Sequence, residues 1–315
     1  MDISGISASA VKIAVCTKNV SDPSSSPLTH GYGSGFFVKR KQKTYLITNF
    51  HVVYGIDHIT GCDLRQNTAC DIDLLELYFY KYIKDNEVQR DIIRLDLSVD
   101  KSRIKTYSKS KELIVNNNKM KLPEVDIVAI DVTNELTNCR VLYIEDYVND
   151  HAMSASIGID SRICVVGFPF GDKDSTGLPI FKYSFIASEP NIDQIDPYFY
   201  IDTNSVHGMS GGLVFYKEKL NIVNLTFDHK ATVKYESKLV GVYAGRCSNE
   251  ENDITSHLGR VWRYELIDNV IDGTQYKKTK SSITSKFVYN IVKETDDVEN
   301  GILAFSPIKD DDVFP

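Results

Sequence analysis

At 315 residues and 42% hydrophobic side chains, the chain can bury one large core or two joined ones, which excludes a disordered or fibrous protein. The net charge is -7 and the basic residues are scattered, apart from Lys39, Arg40, Lys41 and Lys43 around a turn. That cluster reads as a solvated hairpin tip, so nucleic acid is not expected as a partner.

Six cysteines stand at 16, 62, 70, 139, 164 and 247 without a Cys-x-x-Cys pair, which argues against a disulfide framework or a zinc site. Cys16, Cys139 and Cys164 lie in apolar contexts that suit reduced core thiols. The start, Met1-Asp2-Ile3-Ser4-Gly5, lacks the basic and apolar regions of a secretory signal, and no run of 18 apolar residues is long enough to span a membrane. The expectation is a cytoplasmic protein with no membrane partner; export by a signal-independent route would leave no mark in the sequence.

Taken in order, short runs rich in Val, Ile, Tyr and Phe recur between turn residues, the pattern of an all-β protein. Strands are predicted at Val11–Thr17, Gly35–Val38, Tyr45–Thr48, Leu74–Tyr82, Asp126–Asp131, Ile163–Gly167, Tyr183–Ser188, Phe199–Asp202, Gly212–Tyr216 and Leu239–Tyr243. A helix is predicted near Val261–Ile271, where the apolar residues recur at helical spacing and Gly273 follows as a stop. Asn116–Lys121 and Gln275–Lys286 read as an insert and a linker. Phe287–Val292 and Ile302–Phe305 are strand-like, and Asp310-Asp311-Asp312 reads as a solvated tail.

Three segments carry chemistry. In Val206-His207-Gly208-Met209-Ser210-Gly211-Gly212-Leu213-Val214, glycines leave little bulk around the Ser210 hydroxyl, so backbone amides are free to turn toward whatever it attacks. His51 ends the apolar run Tyr45-Leu46-Ile47-Thr48-Asn49-Phe50, a position that presents an imidazole at a strand rim. His207 adjoins the serine and is expected to line the cleft, while His30, His58, His151, His229 and His257 have no comparable setting. Asp126 opens the apolar run Asp126-Ile127-Val128-Ala129-Ile130, where a buried carboxylate needs a partner such as an imidazole N–H. Asp131 and Asp96 are its rivals.

In the order His51, Asp126, Ser210, the chain resembles the chymotrypsin-fold serine peptidases, most closely their bacterial trypsin-like and HtrA-like branch. The matching pieces are Gly33-Ser34-Gly35-Phe36-Phe37-Val38, Leu46 to Val53, Asp126 to Ala129, Val166-Gly167-Phe168-Pro169-Phe170-Gly171, Asp202-Thr203 through Gly212, and Gly241-Val242-Tyr243, together covering about residues 10 to 265. The resemblance implies two antiparallel six-stranded β-barrels, 1–130 with His51 and Asp126 and an elaborated segment 61–121, then 131–265 with Ser210, followed by a helix end and extension over 266–315. It also implies a Ser-His-Asp triad that hydrolyses peptide bonds through an acyl-enzyme, with the amides of Gly208 and Ser210 as the oxyanion hole. Extended substrate would pair with the strand edge at Tyr243, Ala244 and Gly245, and Asn204, Ser205 and His207 would help line its binding site.

The departures are informative too. Met209 stands where zymogen-activated relatives carry an aspartate, so activation by N-terminal cleavage is not expected. Asn204 and Ser205 fall at the pocket floor with no carboxylate to select Lys or Arg. No cofactor or metal is implied, and the C-terminal extension is a candidate dock for a regulatory partner.

Two other readings stand beside this one. Gly208-x-Ser210-x-Gly212 fits the nucleophile elbow of α/β-hydrolases, with Asp253 and His257 as partners, but an elbow needs a helix where Leu213-Val214-Phe215-Tyr216 reads as a strand. Alternatively, the chain is a catalytically inactive peptidase-like binding module. Gly31-x-Gly33-x-Gly35 is not a phosphate cradle, because a strand rather than a helix follows it.

Overall fold

A computed structural model describes residues 3–18, 26–64, 72–84, 87–115, 118–148, 157–159, 161–169, 171, 177–189, 197–204, 206–225, 231–248, 255–276, 292–295 and 304–307. The chain divides into two compact units, Met1–Lys277 and Lys278–Pro315.

In the first unit a short helix α1 (Gly5–Ser9) leads into β1 (Ala10–Thr17), β2 (Leu28–Arg40) and β3 (Lys43–Thr48), followed by helix α2 (Phe50–Tyr54). Next come β4 (Leu74–Lys84), β5 (Glu87–Asp96), β6 (Ile104–Thr106), β7 (Ser110–Val115), β8 (Asn118–Pro123) and β9 (Val128–Asp131). The second half supplies β10 (Arg162–Gly167), β11 (Ile180–Ile186), β12 (Tyr198–Asp202), β13 (Leu213–Leu225), β14 (Ala231–Ser248), β15 (Thr255–Arg263) and helix α3 (Leu266–Asp272). The second unit contributes the hairpin β16 (Val292–Thr295) and β17 (Ala304–Pro307).

The protein is therefore mainly β. Strands β10-β11-β12-β15-β14-β13 close into a six-stranded antiparallel barrel, compatible with a chymotrypsin-like fold. The N-terminal strands differ from the expected second six-stranded barrel: they form a seven-stranded sheet in the order β5-β4-β1-β2-β3-β9-β6, with no ladder joining β5 to β6 among the described residues.

The period-2 alternation of these strands sorts their side chains into three large cores and a small cluster of Ala14, Cys16 and Leu74. Ile13, Phe37, Leu46, Leu77, Val128 and Ile130 share one core with the rest of the N-terminal sheet. Their neighbours Phe36, Ile47, Ile127 and Ala129 point the other way and join Val166, Leu213, Val242 and Trp262 of the barrel in a core between the two lobes. Ile163, Val165, Phe199, Ile201, Val214 and Val261 make up the third, in the barrel. A sheet buried on both faces needs nearly continuous apolar letters, and β1 has them.

The predicted helix near Val261 begins later, because Val261 and Trp262 belong to β15 and pair with Phe199 and Tyr198 of β12. Leu266, Ile267 and Val270 of α3 then cap the core between the lobes. Of the insert predicted at Asn116–Lys121, residues 118–121 belong to β8, which pairs with β7, and residues 116–117 lie outside the described set. Of the elaborated segment 61–121, β4 to β6 are members of the N-terminal sheet and only β7–β8 stands as a separate ladder. The linker from Gln275 falls largely outside the described residues, as does the Asp310–Asp312 tail. Arg40 and Lys41 of the basic hairpin tip pair with Asp268, Glu145 and Asp272, and the turn is made by Lys41 and Gln42 at φ 49° and 68°. Among the described residues no helix is long and apolar enough to cross a membrane.

Candidate active site

Strand β3 carries the chain to Asn49, where it turns into α2 and leaves His51 half-buried. The His51 Nδ1 lies 2.7 Å from Asp126 Oδ2, and the His51 main-chain N–H donates to Asp126 Oδ1 at 3.0 Å. The carboxylate thus grips both the ring and the backbone of the same residue. Asp126 is 2% exposed, just ahead of β9, and Asn49 Nδ2 donates to its main-chain oxygen at 2.6 Å. Of the three candidate carboxylates, Asp126 is the one bonded to His51. Its rivals are occupied elsewhere, Asp131 by Lys43 and Thr133 and Asp96 by Lys18 and Ser98.

Burial alone would push the His51 pKa down, but the charge and hydrogen bond of Asp126, with the more distant charge of Asp57, carry it above its ordinary value. Asp57 can stay ionised despite its own burial because Thr60 and Ile59 donate their N–H groups to it. His58 is buried edge-on to Trp262, ring centroids 5.7 Å apart, and burial holds its pKa below the usual value.

Ser210 stands in the turn between β12 and β13. Met209 N–H donates to Val206 O at 3.3 Å, and Gly208 at φ 95° takes the left-handed position of a type II turn, which a side chain would strain. Gly211 N–H donates to Tyr243 O at 2.8 Å and Gly212 N–H to Met209 O at 3.0 Å. The N–H groups of Gly208 and Ser210 make no hydrogen bond among the described residues. Among the described residues these two N–H groups therefore have no acceptor, and an oxyanion is stabilised by donors of this kind.

Ser34, fully buried in β2, ties this turn to the N-terminal sheet. Its Oγ donates to Gly208 O at 2.6 Å and accepts from Phe168 N–H at 2.9 Å, and its own N–H donates to Ser210 O at 2.8 Å. Its carbonyl accepts from Thr48 Oγ1 at 2.7 Å. A Cβ on Gly211, at φ 83°, would collide with Ser34 O and Thr48 Oγ1. Thr48 is three residues from His51, so this contact seats the serine turn against the strand that delivers the histidine. The Ser210 hydroxyl and the His51 ring form no hydrogen bond to each other in this conformation. Such bonds are often long in unliganded enzymes and tighten around substrate.

The other sequence-predicted residues fall as follows. His207 is exposed on the turn, and Asn204 is exposed with its Oδ1 on His257 Nδ1. Ser205 lies outside the described residues. Tyr243 accepts from and donates to the serine turn through its backbone, but its ring is buried. The β14–β15 ladder skips Ala244 and Gly245, and a Cβ on Gly245 would lie 3.3 Å from Ser210 Oγ. Met209 is packed among barrel residues such as Val165 and Tyr243. His257 is engaged with Asn204, Asp253 lies outside the described residues, and the strand β13 follows the serine, so the nucleophile elbow finds no support.

Sequence reasoning missed Ser34 as a contact of the site, although the Gly33-Ser34-Gly35 bracket was a visible sign of close backbone approach. Asn49, Asp57 and His58 carried no comparable sign. Among the described residues no group of three His, Cys, Asp or Glu side chains could hold a metal ion. No protein-family model matches the chain, and no curated protein matches its sequence.

Proposed function

We propose that the chain is a serine endopeptidase of chymotrypsin-like architecture, its N-terminal sheet standing in for the first barrel. Ser210 is the nucleophile, His51 the general base, Asp126 its orienting acid, and the amides of Gly208 and Ser210 the oxyanion hole. The observation that carries this reading is the bond between His51 Nδ1 and the buried Asp126 Oδ2. It holds the tautomer whose Nε2 is an acceptor.

In the proposed reaction Ser210 Oγ forms a bond to the scissile carbonyl carbon as its proton passes to His51 Nε2. The carbonyl oxygen takes the negative charge between the two free amides. Collapse breaks the C–N bond, and His51 returns the proton to the leaving amine. Water, deprotonated by His51, then bonds to the acyl carbon, the C–Oγ bond breaks, and His51 returns the proton to Ser210 Oγ. Extended substrate pairs with the unladdered backbone at Ala244 and Gly245.

The missing Ser210–His51 hydrogen bond favours a second reading, a peptidase-like binding module. Incubating the full chain with an unfolded protein substrate separates the two. The peptidase reading expects new N-termini with wild type and none with Ser210→Ala; equal cleavage by both, or none by either, overturns it.

A further inference from the structure

We infer that a groove lined by α2 and the β7–β8 hairpin docks an acidic segment of a partner protein through an aromatic side chain, and that the docked segment adjusts His51 and Asp126 toward Ser210. The second half rests on the reading of these three residues as the triad; the docking itself does not.

The groove has a volume of about 460 Å³. One wall is α2, where the Phe50 and Tyr54 rings stack with centroids 4.5 Å apart at 23°. Leu122 and Pro123 of β8 form another, and Tyr107 lines it too, held by the Tyr276 N–H that donates to its Oη at 2.8 Å. This apolar lining is not sealed, for Tyr54 is half-buried and Ser110 and Lys121 on the rim are exposed. A small molecule is normally held with most of its surface covered. An open groove of this kind suits instead one large apolar side chain of a protein, the aromatic anchor of an interface.

The surrounding charge selects the neighbours of that anchor. Residues 105–124 carry five lysines against two glutamates in a chain of net charge -7. Lys121 reaches Glu112 only at 3.8 Å with both side chains well exposed, and Lys105 and Lys119 make no ion pair among the described residues. Such a rim attracts aspartate and glutamate on the incoming segment. A nucleic acid would need open ring faces on which its bases stack, and Phe50 and Tyr107 are buried.

The walls of the groove also carry the triad. Phe50 and Tyr54 flank His51 in the five-residue helix α2, and Pro123 stands three residues before Asp126. A side chain seated against these walls therefore bears on both elements that hold the imidazole and its carboxylate. Among the described residues the lining includes neither Ser210, Gly245 nor His51, so docking takes place outside the cleft. The Ser210–His51 hydrogen bond missing from this conformation is the one that a shift of α2 would form.

The probe is a fluorescein-labelled peptide, Asp-Asp-Phe-Asp-Glu, titrated by polarisation into the full chain carrying Ser210→Ala, which cannot cleave it. Replacing the phenylalanine of the peptide by alanine, or Lys121 by glutamate in the protein, should each weaken binding ~10-fold. Ser110→Trp, which fills the groove from its exposed rim, should abolish binding; should that variant fail to fold, the exposed change Lys121→Glu decides. Unlabelled peptide at saturation should raise fluorophosphonate labelling of wild-type Ser210 by ~10-fold. Binding that ignores both replacements, displacement by an oligothymidylate, or no binding at all overturns the docking site. Binding with an unchanged labelling rate overturns its control of His51. Absence of labelling in either state removes the nucleophile instead, and the titrations still decide the groove.

Discussion

Replacing Asp126 by asparagine preserves size and the main-chain bond from Asn49 Nδ2, 2.6 Å to Asp126 O, while altering the two bonds that hold His51. The amide oxygen can still accept from the His51 N–H, which leaves the NH2 group facing Nδ1, a donor where an acceptor stood. The ring must then carry its proton on Nε2, the wrong tautomer for taking one from Ser210. A loss of about 10⁴ in kcat is expected, as for the same change in related triads, or about 5.5 kcal/mol of transition-state stabilisation.

The pH profile should move as well. In wild type the raised His51 pKa places the acid limb of kcat/KM above about 6.5, the ordinary imidazole value. Without the carboxylate the burial is opposed only by the more distant charge of Asp57, and the limb should shift to lower pH. The same linkage acts on stability: the wild-type contribution from protonated His51 is complete below about pH 6.5 and disappears as pH rises through the elevated pKa. Fluorophosphonate labelling rates from pH 5 to 9 give both quantities. An Asp126→Asn protein that labels within about threefold of wild type, with its limb unmoved, would refute the role assigned to Asp126.

Other perturbations probe the scaffold of the site. Ser34→Ala should strand Gly208 O and Phe168 N, costing about 1–3 kcal/mol for each buried group, and lower kcat by ~10- to 100-fold through a displaced oxyanion turn; unchanged kcat in a folded variant would contradict it. Gly211→Ala, which forces a Cβ toward Ser34 O and Thr48 Oγ1 at φ 83°, should lower stability in urea by about 3 kcal/mol or more, and a change under about 0.5 kcal/mol would contradict the close approach. Iodoacetamide should alkylate exposed Cys62 in the native protein while buried Cys16 and Cys164, the latter with its pKa pushed up to about 12 by burial, react only after unfolding. Equal native rates at Cys62 and Cys164 would contradict that burial.

Much of this architecture was legible because burial on both faces leaves unmistakable letters. The apolar runs Val11 to Thr17 and Gly35 to Val38 led to β1 and β2, and the isolated carboxylate before Ile127 led to the partner of His51. Strand β5 was not legible, since Glu87–Asp96 is mostly exposed and its polar letters suit an edge. Val261 and Trp262 were read with the following helix because short apolar runs fit either period, and their pairing with Phe199 and Tyr198 decided the matter. The open N-terminal sheet was invisible for a different reason: β5 and β6 follow one another in the chain, yet they stand at opposite edges of the sheet because β5 pairs with β4 and β6 with β9. Ser34 shows the same limit at the scale of one residue, for a serine between glycines reveals nothing of the carbonyl at Gly208 to which it donates.

Whether Ser210 is the activated nucleophile is decided by mass spectrometry of the fluorophosphonate-treated full chain. A single adduct is expected on the peptide carrying Ser210, formed faster as pH rises through the His51 pKa and absent from His51→Ala. An adduct on another serine, or labelling of Ser210 at the same rate without His51, would contradict that role.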